Sequence, residues 1–261
     1  MKNFSKIIAI LMTVACVAAF AACTRPEQQP DTGELVYEIS HGGDYYTVMS
    51  IGTLTSKEVV IPAEYKGLPV KAIDNCAFEN CTQITKLTIS EGIEHIGTFA
   101  FSGCSSLVEV NIPKSVTYLY DGLFSGCSSL TKVTLHDEIT GMGQSVFANC
   151  TSLKEIKLPT SLKAISGQTF RGCTALESIT VPDGVEKIQT FSFSGCTSLR
   201  EIIIPASVVR IEFKTFESCS SLTTIEFGGE TGDWKAIKTS PQWNVGTGNY
   251  TVYCSNGELG K

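Results

Sequence analysis

The sequence predicts a solenoid, a coil of stacked 23-residue units, and three patterns support this prediction. First, cysteines recur at a constant interval of 23 residues, at Cys81, Cys104, Cys127, Cys150, Cys173, Cys196 and Cys219. Second, each of these cysteines has a Phe three residues before it and a Leu or Ile three residues after it. Third, apolar residues follow six and eight positions after each cysteine. A constant period of this size is typical of chains whose units stack on one continuous core.

Each unit is predicted to form one coil, and positions in a coil are counted from its cysteine. The apolar residues at plus six and plus eight alternate with polar ones, which predicts a short strand with one face inward. Coils stack about 4.8 Å apart, so these strands should pair into a parallel sheet. Pro at plus nine and Ser or Gly at plus eleven predict a turn, followed by a second extended segment. The segment leading to the Phe is predicted as one helical turn, ending in a Gly or Asn that tolerates positive φ.

The pattern L-x-x-[VI]-x-[IL] within this period indicates a leucine-rich-repeat solenoid. We expect a right-handed coil with a parallel β-sheet on the concave face, short strands and helical turns opposite, and caps at both ends. The unit AF-x-G-C-S-S-L-x-x-V-x-I-P-x-x-V-x-x-I resembles the BspA-like leucine-rich repeats of bacterial surface proteins, over about residues 59–227. Larger members of that family act in adhesion, which includes binding to host extracellular-matrix or plasma proteins and co-aggregation between cells. The resemblance therefore implies an adhesive function.

The ends of the repeat array predict caps. LVYEIS and YYTVMSI flank HGGD, which predicts an N-terminal β-hairpin cap over residues 34–58. The solenoid covers 59–227, as one incomplete unit with five extra residues after Pro62 and about seven complete units. Residues 228–261 resemble the C-terminal caps of the same family, with Trp234 on the plus-fifteen apolar row, then Trp243 and a Tyr-Thr-Val-Tyr strand.

The N-terminal sequence predicts an export signal. Residues 1–22 have a short basic region, an apolar stretch and small residues before Cys23, which predicts a signal peptide. Phe-Ala-Ala-Cys resembles a bacterial lipobox, so Cys23 is the predicted lipid attachment site and residues 23–33 a polar tether. Plain cleavage after Ala21 and a single-pass membrane anchor are the alternatives, although the apolar stretch is shorter than the roughly 20 residues that span a bilayer.

Composition and charge indicate a folded protein and argue against nucleic-acid binding. The chain is 43% hydrophobic and 18% charged, as in folded globular proteins. Its formal net charge is −6 and it contains no basic run, so we expect no nucleic-acid partner.

The repeated cysteines do not predict an active site. A catalytic thiol needs a base beside it, and the histidines His41, His95 and His136 share no position in the repeat. A zinc ion needs four ligands arranged around one point, whereas the cysteines of successive coils are spread along a line. Disulfides between neighbouring coils are geometrically possible, but seven is an odd number and buried free thiols fit a regular ladder better. The neighbouring Ser/Thr column is interpreted as hydroxyls that satisfy turn backbone. We therefore expect no enzyme activity, no metal and no cofactor.

Two surfaces remain as candidate binding sites. The first is the exposed face of the strands at plus five and plus seven, with candidate residues Lys86, Thr88, Glu109, Asn111, Lys132, Thr134, Glu155, Lys157, Thr180, Glu201 and Ile203. Charges of opposite sign alternate there between coils, which by itself would give modest stabilisation of the stack without any ligand. The second is an aromatic patch on the first coils, formed by His95, Phe99, Tyr118 and Tyr120.

The sequence thus predicts a non-enzymatic cell-surface protein that binds other macromolecules through its solenoid. The ligand would be a protein or glycan, host proteins included, and the chain is expected to be a monomer that touches the membrane only through its lipid anchor. The alternative is a structural or scaffold module of the bacterial cell envelope that binds a neighbouring protein or glycan. The predicted location is the outer membrane or cell surface, with secreted or periplasmic as alternatives.

Overall fold

The computed structural model describes residues 33–261, which form a parallel β-solenoid of about nine turns with a repeat of about 23 residues. The predicted signal peptide, Cys23 and nearly all of the tether lie outside the described residues. Between residues 33 and 261 there is no helix with the length and apolar character needed to span a bilayer.

The described elements follow one another along the chain as β1 (Val36–Ile39), β2 (Tyr46–Ser50), β3 (Glu58–Ile61), β4 (Glu64–Tyr65), β5 (Leu68–Ile73), β6 (Lys86–Ile89), β7 (His95–Ile96), β8 (Glu109–Asn111), β9 (Tyr118–Leu119), β10 (Lys132–Thr134), β11 (Gly141–Met142), β12 (Ala164–Ile165), β13 (Ser178–Thr180), β14 (Lys187–Ile188), β15 (Glu201–Ile204), β16 (Arg210–Ile211), β17 (Thr224–Phe227), α1 (Thr231–Ala236), β18 (Lys238–Thr239), β19 (Thr251–Cys254) and β20 (Gly257–Gly260).

The predicted plus-five to plus-eight strands form a parallel surface that we call the strand face. It contains a sheet of β3, β6, β8 and β10 and a second sheet of β13, β15, β17 and β19, to which β20 adds an antiparallel edge. Plus-six residues such as Leu87 and Ile202 are buried, whereas their neighbours at plus five and plus seven face outward. This alternation is the one that the apolar rows predicted.

A second, narrower row of strands lies at plus fourteen and plus fifteen, and we call it the second row. Most of its strands have only two residues. They pair in parallel in three groups, β5 with β7, β9 with β11, and β12 with β14, β16 and β18. In the last group Lys187 pairs with Arg210. The plus-fifteen residue is buried and the plus-fourteen residue faces outward in β7, β9, β14 and β16. The second row therefore presents one outward side chain per coil.

The segment before each cysteine forms a tight turn. These segments stack from coil to coil, and we call them together the turn stack. In the coil of Cys104, the N–H groups of Phe99, Phe101 and Gly103 donate to carbonyls of the next coil at 2.9, 3.1 and 2.7 Å. Bonds of the i to i−3 type close the turn within its own coil, for example from Ser102 to Phe99. The same set of bonds between coils recurs along the solenoid, so the turn stack is a hydrogen-bonded ladder.

Two residues in each segment of the turn stack have left-handed backbone conformations. The residue before the cysteine has positive φ, as the Gly and Asn pattern predicted, at Asn80, Gly103, Gly126, Asn149, Gly172, Gly195 and also Ser218. A second such residue stands five positions before the cysteine, at Cys76, Phe99, Gly122, Ser145, Gln168, Phe191 and Lys214. With these conformations at both ends of the segment, every second N–H group donates to the neighbouring coil, and most of the N–H groups between them donate within their own coil.

Seven phenylalanines fill the centre of the solenoid, at Phe78, Phe101, Phe124, Phe147, Phe170, Phe193 and Phe216. Each is fully buried, and neighbouring rings stack nearly parallel with centroids 5.1 to 5.9 Å apart. Offset stacking of this kind adds to the free energy gained by burying the rings.

The N-terminal cap is a hairpin, as predicted. β1 pairs antiparallel with β2, and β2 continues in parallel onto β5 of the second row. The five extra residues of the first coil form a small hairpin of β4 and β5, so that Val59 of β3 pairs with Leu87, 28 residues later. The ring of Tyr65 from this hairpin stacks on Tyr37 of the cap with centroids 3.8 Å apart.

The C-terminal segment makes one more coil rather than only a lid. Ile211 pairs with Thr239, 28 residues later, because α1 is inserted at the same place in the coil as the hairpin of the first coil. The expected position of Trp234 on the plus-fifteen row is therefore wrong: Thr239 occupies that row, and Trp234 lies in α1 with its ring 5.3 Å from that of Phe227.

Candidate functional site

The predicted binding residues lie in columns on the strand face, along two blocks of paired strands and the segment between them. Neighbouring coils keep them in register, as in the pairs Lys132 with Glu109 and Thr134 with Asn111. All of them are exposed except Glu201 and Ile203, which are half-buried. The strand face is therefore a polar surface whose outward side chains differ from coil to coil.

The predicted charge alternation produces few ion pairs. Lys86 lies 3.6 Å from Glu58 of the preceding strand. Among the described residues, no ion pair joins Glu109 to Lys86 or to Lys132. The register sets Glu109 beside Lys86 and Lys132, as the charge alternation predicted, but these side chains form no ion pairs with one another and so are available to a ligand.

The strand face is interrupted at residues 154–158. This segment has the apolar pattern of a strand, yet it joins neither sheet and separates β10 from β13. Within the described part of the chain, the backbone N–H and C=O groups of Glu155, Ile156, Lys157 and Leu158 make no hydrogen bonds to the neighbouring coils. Strand pairing would normally satisfy these groups, so the interruption leaves backbone donors and acceptors unpaired.

A cleft of about 660 Å³ opens at this interruption. Lys132, Glu155, Lys157 and Thr180 contribute to its polar rim. The apolar part of its lining includes Val133 and Ile156, which are 9% and 8% exposed and so are the most exposed residues of the plus-six row. The cleft combines apolar contact area with charges of both signs, as ligand sites commonly do.

The coil before the cleft is also irregular. His136 stands at plus nine, where five other coils have Pro. Its ring nitrogens lie 2.9 Å from the Pro113 carbonyl and 2.9 Å from Glu138. Leu135 beside it is half-buried, whereas Ile112 and Leu158 in the same row are buried. Sequence reasoning noted His136 but did not connect it with a cleft, and it missed the rim residues Thr131 and Thr160.

The aromatic patch forms only in part. The rings of Tyr118 and Tyr120 meet edge to face with centroids 5.0 Å apart, and both are about 40% exposed. Phe99 packs over Gly122, where a Cβ would come within 2.0 Å of its ring. No ring contact among the described aromatic residues joins Phe99 to the two tyrosines, and His95 is exposed on β7.

The cysteine column is a ladder of buried thiols from Cys104 to Cys219. Each of these six thiols donates to the carbonyl of the Phe in the preceding coil at 3.1 to 3.2 Å. Burial raises the pKa of Cys104, Cys173 and Cys219 to about 12. These free thiols are protonated at neutral pH and shielded from solvent, so they contribute to packing rather than nucleophilic chemistry.

The hydroxyls beside the cysteines bond to the backbone, as interpreted from the sequence. Ser128 donates to the carbonyl of Ser105 at 3.3 Å, and Thr151 donates to the carbonyl of Ser128 at 3.2 Å. Over residues 33–261, no three His, Cys, Asp or Glu side chains come together in a way that could hold a metal ion.

Comparison with known proteins agrees with this architecture. A family model described as the BspA type leucine rich repeat region, in six copies, matches residues 71–173 and 143–238. A leucine rich repeat protein of T. pallidum is 26% identical with a TM-score of 0.66, over 75% of this chain and 91% of that chain. A leucine-rich repeat protein from Bacteroides ovatus is 24% identical with a TM-score of 0.56, over 85% of this chain and 70% of that chain. No curated protein matches the chain.

The family match covers well over half of the chain, and the solved structures share its fold. The predicted leucine-rich-repeat solenoid is confirmed, and the match is consistent with a protein-interaction or surface module. The chain belongs to the family of BspA-type leucine-rich repeat proteins.

Proposed function

We propose that this protein is a non-enzymatic, exported surface protein that binds another macromolecule through its strand face, with the cleft at residues 154–158 as the centre of the site. The observation that carries the proposal is the interruption of an otherwise paired sheet, which leaves backbone hydrogen-bonding groups unpaired beside the charged side chains that line the cleft. Leucine-rich-repeat solenoids are typically non-enzymatic.

The cleft suits a ligand that offers hydrogen-bonding groups and some apolar surface. The open backbone groups of residues 155–158 can each gain about 0.5–1.5 kcal/mol when a partner replaces water. Lys132 and Lys157 can contact carboxylates of the ligand, and Glu155 can contact its cations or hydroxyls. An extended segment of a protein partner has all of these features, so a protein is the favoured ligand.

The N-terminal sequence supports export. Its basic, apolar and small-residue regions fit a signal peptide, and Cys23 fits acylation. We place the mature protein at the outer membrane or cell surface as a lipid-anchored monomer. Mass spectrometry of the native N-terminus tests this: an acylated Cys23 supports the anchor, and a free N-terminus at Ala22 contradicts it.

A binding screen tests the site. The mature protein is tested against immobilised host extracellular-matrix and plasma proteins and against envelope proteins of the producing cell. Reversing three charges of the strand face, in K86E/K132E/K157E, should weaken binding at least tenfold, because like charges then face the ligand. Affinity for an envelope protein rather than a host protein would favour the scaffold role.

The matched control is K187E/R210E/K238E, which makes the same change in net charge on the second row. Equal losses in both variants would mean that overall charge, rather than the strand face, governs binding. If the unaltered protein binds no protein in either set, the proposed function is wrong.

A further inference from the structure

The second row carries three cations side by side in its C-terminal half. Lys187 pairs with Arg210 and Arg210 pairs with Lys238 in parallel register. All three side chains are exposed. With strands about 4.8 Å apart, three positive charges fall within about 10 Å along one line. We call these residues the basic row.

The basic row forms no ion pairs within the described part of the protein. Like charges at paired positions of neighbouring strands destabilise a sheet. Elsewhere the chain pairs opposite charges between coils, as Lys71 does with Glu94 at 2.9 Å. Among the described residues, no ion pair includes any member of the basic row. An external anion would relieve this repulsion.

Two carboxylates flank the basic row without neutralising it. Glu212 is half-buried and accepts hydrogen bonds from the N–H and the hydroxyl of Thr190 at 3.2 and 3.0 Å. Glu186 precedes Lys187 in the chain and is exposed, and it forms no ion pair with the basic row. These two carboxylates repel a ligand that carries many negative charges close together. The basic row therefore favours an anionic ligand whose charges are widely spaced.

The outward column of the second row continues from the cations to an aromatic ring. Going back one 23-residue unit at a time from Lys187, it contains Ala164, Gly141 and Tyr118. Ala164 pairs with Lys187 and Gly141 pairs with Tyr118, while Gly141 and Ala164 belong to separate sheets. The ring of Tyr118 lies over Gly141, where a Cβ would approach it within 2.8 Å. Because Gly141 and Ala164 have small side chains or none, the surface between Tyr118 and the basic row has no protruding side chain in this column. From Tyr118 to Lys238 the column spans five coil steps, or about 24 Å.

We propose that this column binds an extended anionic polysaccharide, with its anionic groups on Lys187, Arg210 and Lys238 and a sugar ring against Tyr118. One cation per coil matches a chain that carries about one charge per sugar. The apolar face of a sugar ring packs well on an exposed aromatic ring. This surface differs from the strand face, so the proposal does not depend on the proposed function.

Nucleic acid fits the column less well. Duplex DNA carries one negative charge per about 1.7 Å of its axis, and a protein with a net charge of −6 is repelled more strongly by such a dense charge. Binding of single strands relies on aromatic rings placed along a basic groove, whereas here Tyr118 is separated from the cations by Gly141 and Ala164.

The experiment measures binding of the mature protein to four probes: polygalacturonate, chondroitin sulfate, neutral dextran and an oligothymidylate. We expect binding to one or both anionic polysaccharides, weakening between about 50 and about 200 mM salt. Binding of polygalacturonate alone would indicate recognition of carboxylates, and binding of chondroitin sulfate alone would indicate recognition of sulfates. K187Q/R210Q/K238Q should lower the affinity at least tenfold, and Y118A about two- to tenfold.

The control K86Q/K132Q/K157Q removes the same number of charges from the strand face and should keep polysaccharide binding. Thermal unfolding of each variant checks the fold, and loss of the basic row should leave stability equal or slightly higher. Three results would each overturn the proposal: unchanged affinity in the basic-row variant, equal binding of dextran, or tighter binding of the oligothymidylate than of both anionic polysaccharides.

Discussion

The turn stack and the strand face use the same 23-residue repeat in different ways. In the turn stack, two left-handed residues per coil direct three N–H groups to the next coil, and this ladder continues past residues 154–158 without interruption. On the strand face, pairing stops at that coil and a cleft opens. The comparison shows that one side of the solenoid can hold the coils together while the other varies, which is what a binding scaffold requires.

The largest expected effect comes from removing a ring of the turn stack. Phe147 is fully buried between Phe124 and Phe170, with centroids 5.9 and 5.8 Å away. F147A should lower the free energy of unfolding by about 3–5 kcal/mol, since it leaves a cavity that the stacked coils cannot close. The control I156A, on the strand face of the same coil, should cost about 2 kcal/mol, because one side of Ile156 already borders the cleft.

Urea unfolding of both variants measures this difference. An equal cost for the two substitutions would mean that the strand segment at the cleft is packed as tightly as the turn stack, and the contrast between the two sides would fail.

Hydrogen exchange compares the backbones of the two sides within one coil. The amides of Phe147 and Asn149 donate to the next coil at 2.9 and 2.7 Å, whereas those of Ile156 and Lys157 have no partner among the described residues. We expect exchange at Ile156 and Lys157 to be at least about 100-fold faster than at Phe147 and Asn149, because open amides need no unfolding to exchange.

Ligand binding extends the exchange measurement. If a partner occupies the cleft, it should slow the amides of residues 155–158 and leave those of the turn stack unchanged. Protection of residues 155–158 in the free protein, equal to that of Phe147, would contradict the interruption.

The sequence predicts the repeating parts of this fold well because one residue type recurs at each structural position. The Phe and Cys columns identify the core, and the Gly and Asn column identifies one left-handed position. The other left-handed position holds residues as different as Phe99 and Lys214, so backbone bonding between coils fixes its conformation and residue type does not reveal it.

The candidate site was harder to predict because it departs from the repeat. Residues 154–158 have the same apolar pattern as the paired strands, and only His136 in the preceding coil marks an irregularity. The basic row becomes visible only when the extra residues of α1 are assigned, because these shift Lys238 to the position that follows Arg210. Both sites thus depend on register, which a pattern of residue types does not determine by itself.

The smallest expected effect concerns pH and the thiols. Burial raises the pKa of Cys173 to about 12 in the folded protein, from a value of 9.0 when exposed. Above pH 9 the unfolded chain therefore loses this proton while the folded protein keeps it, so stability is fully present below pH 9 and is lost as the pH rises toward 12. Each pH unit in this window should cost about 1.4 kcal/mol for Cys173.

Urea unfolding at about pH 8 and about pH 10 tests this contribution, since the window begins near the ordinary thiol pKa. C173A should lose less stability between the two pH values than the unaltered protein, by about 1.4 kcal/mol. The control C254A removes a half-buried thiol from β19 on the strand face, and it should change the pH dependence less, because Cys254 is less shielded from solvent. If C173A and C254A alter the pH dependence equally, the thiols of the turn stack are no better shielded than those of the strand face.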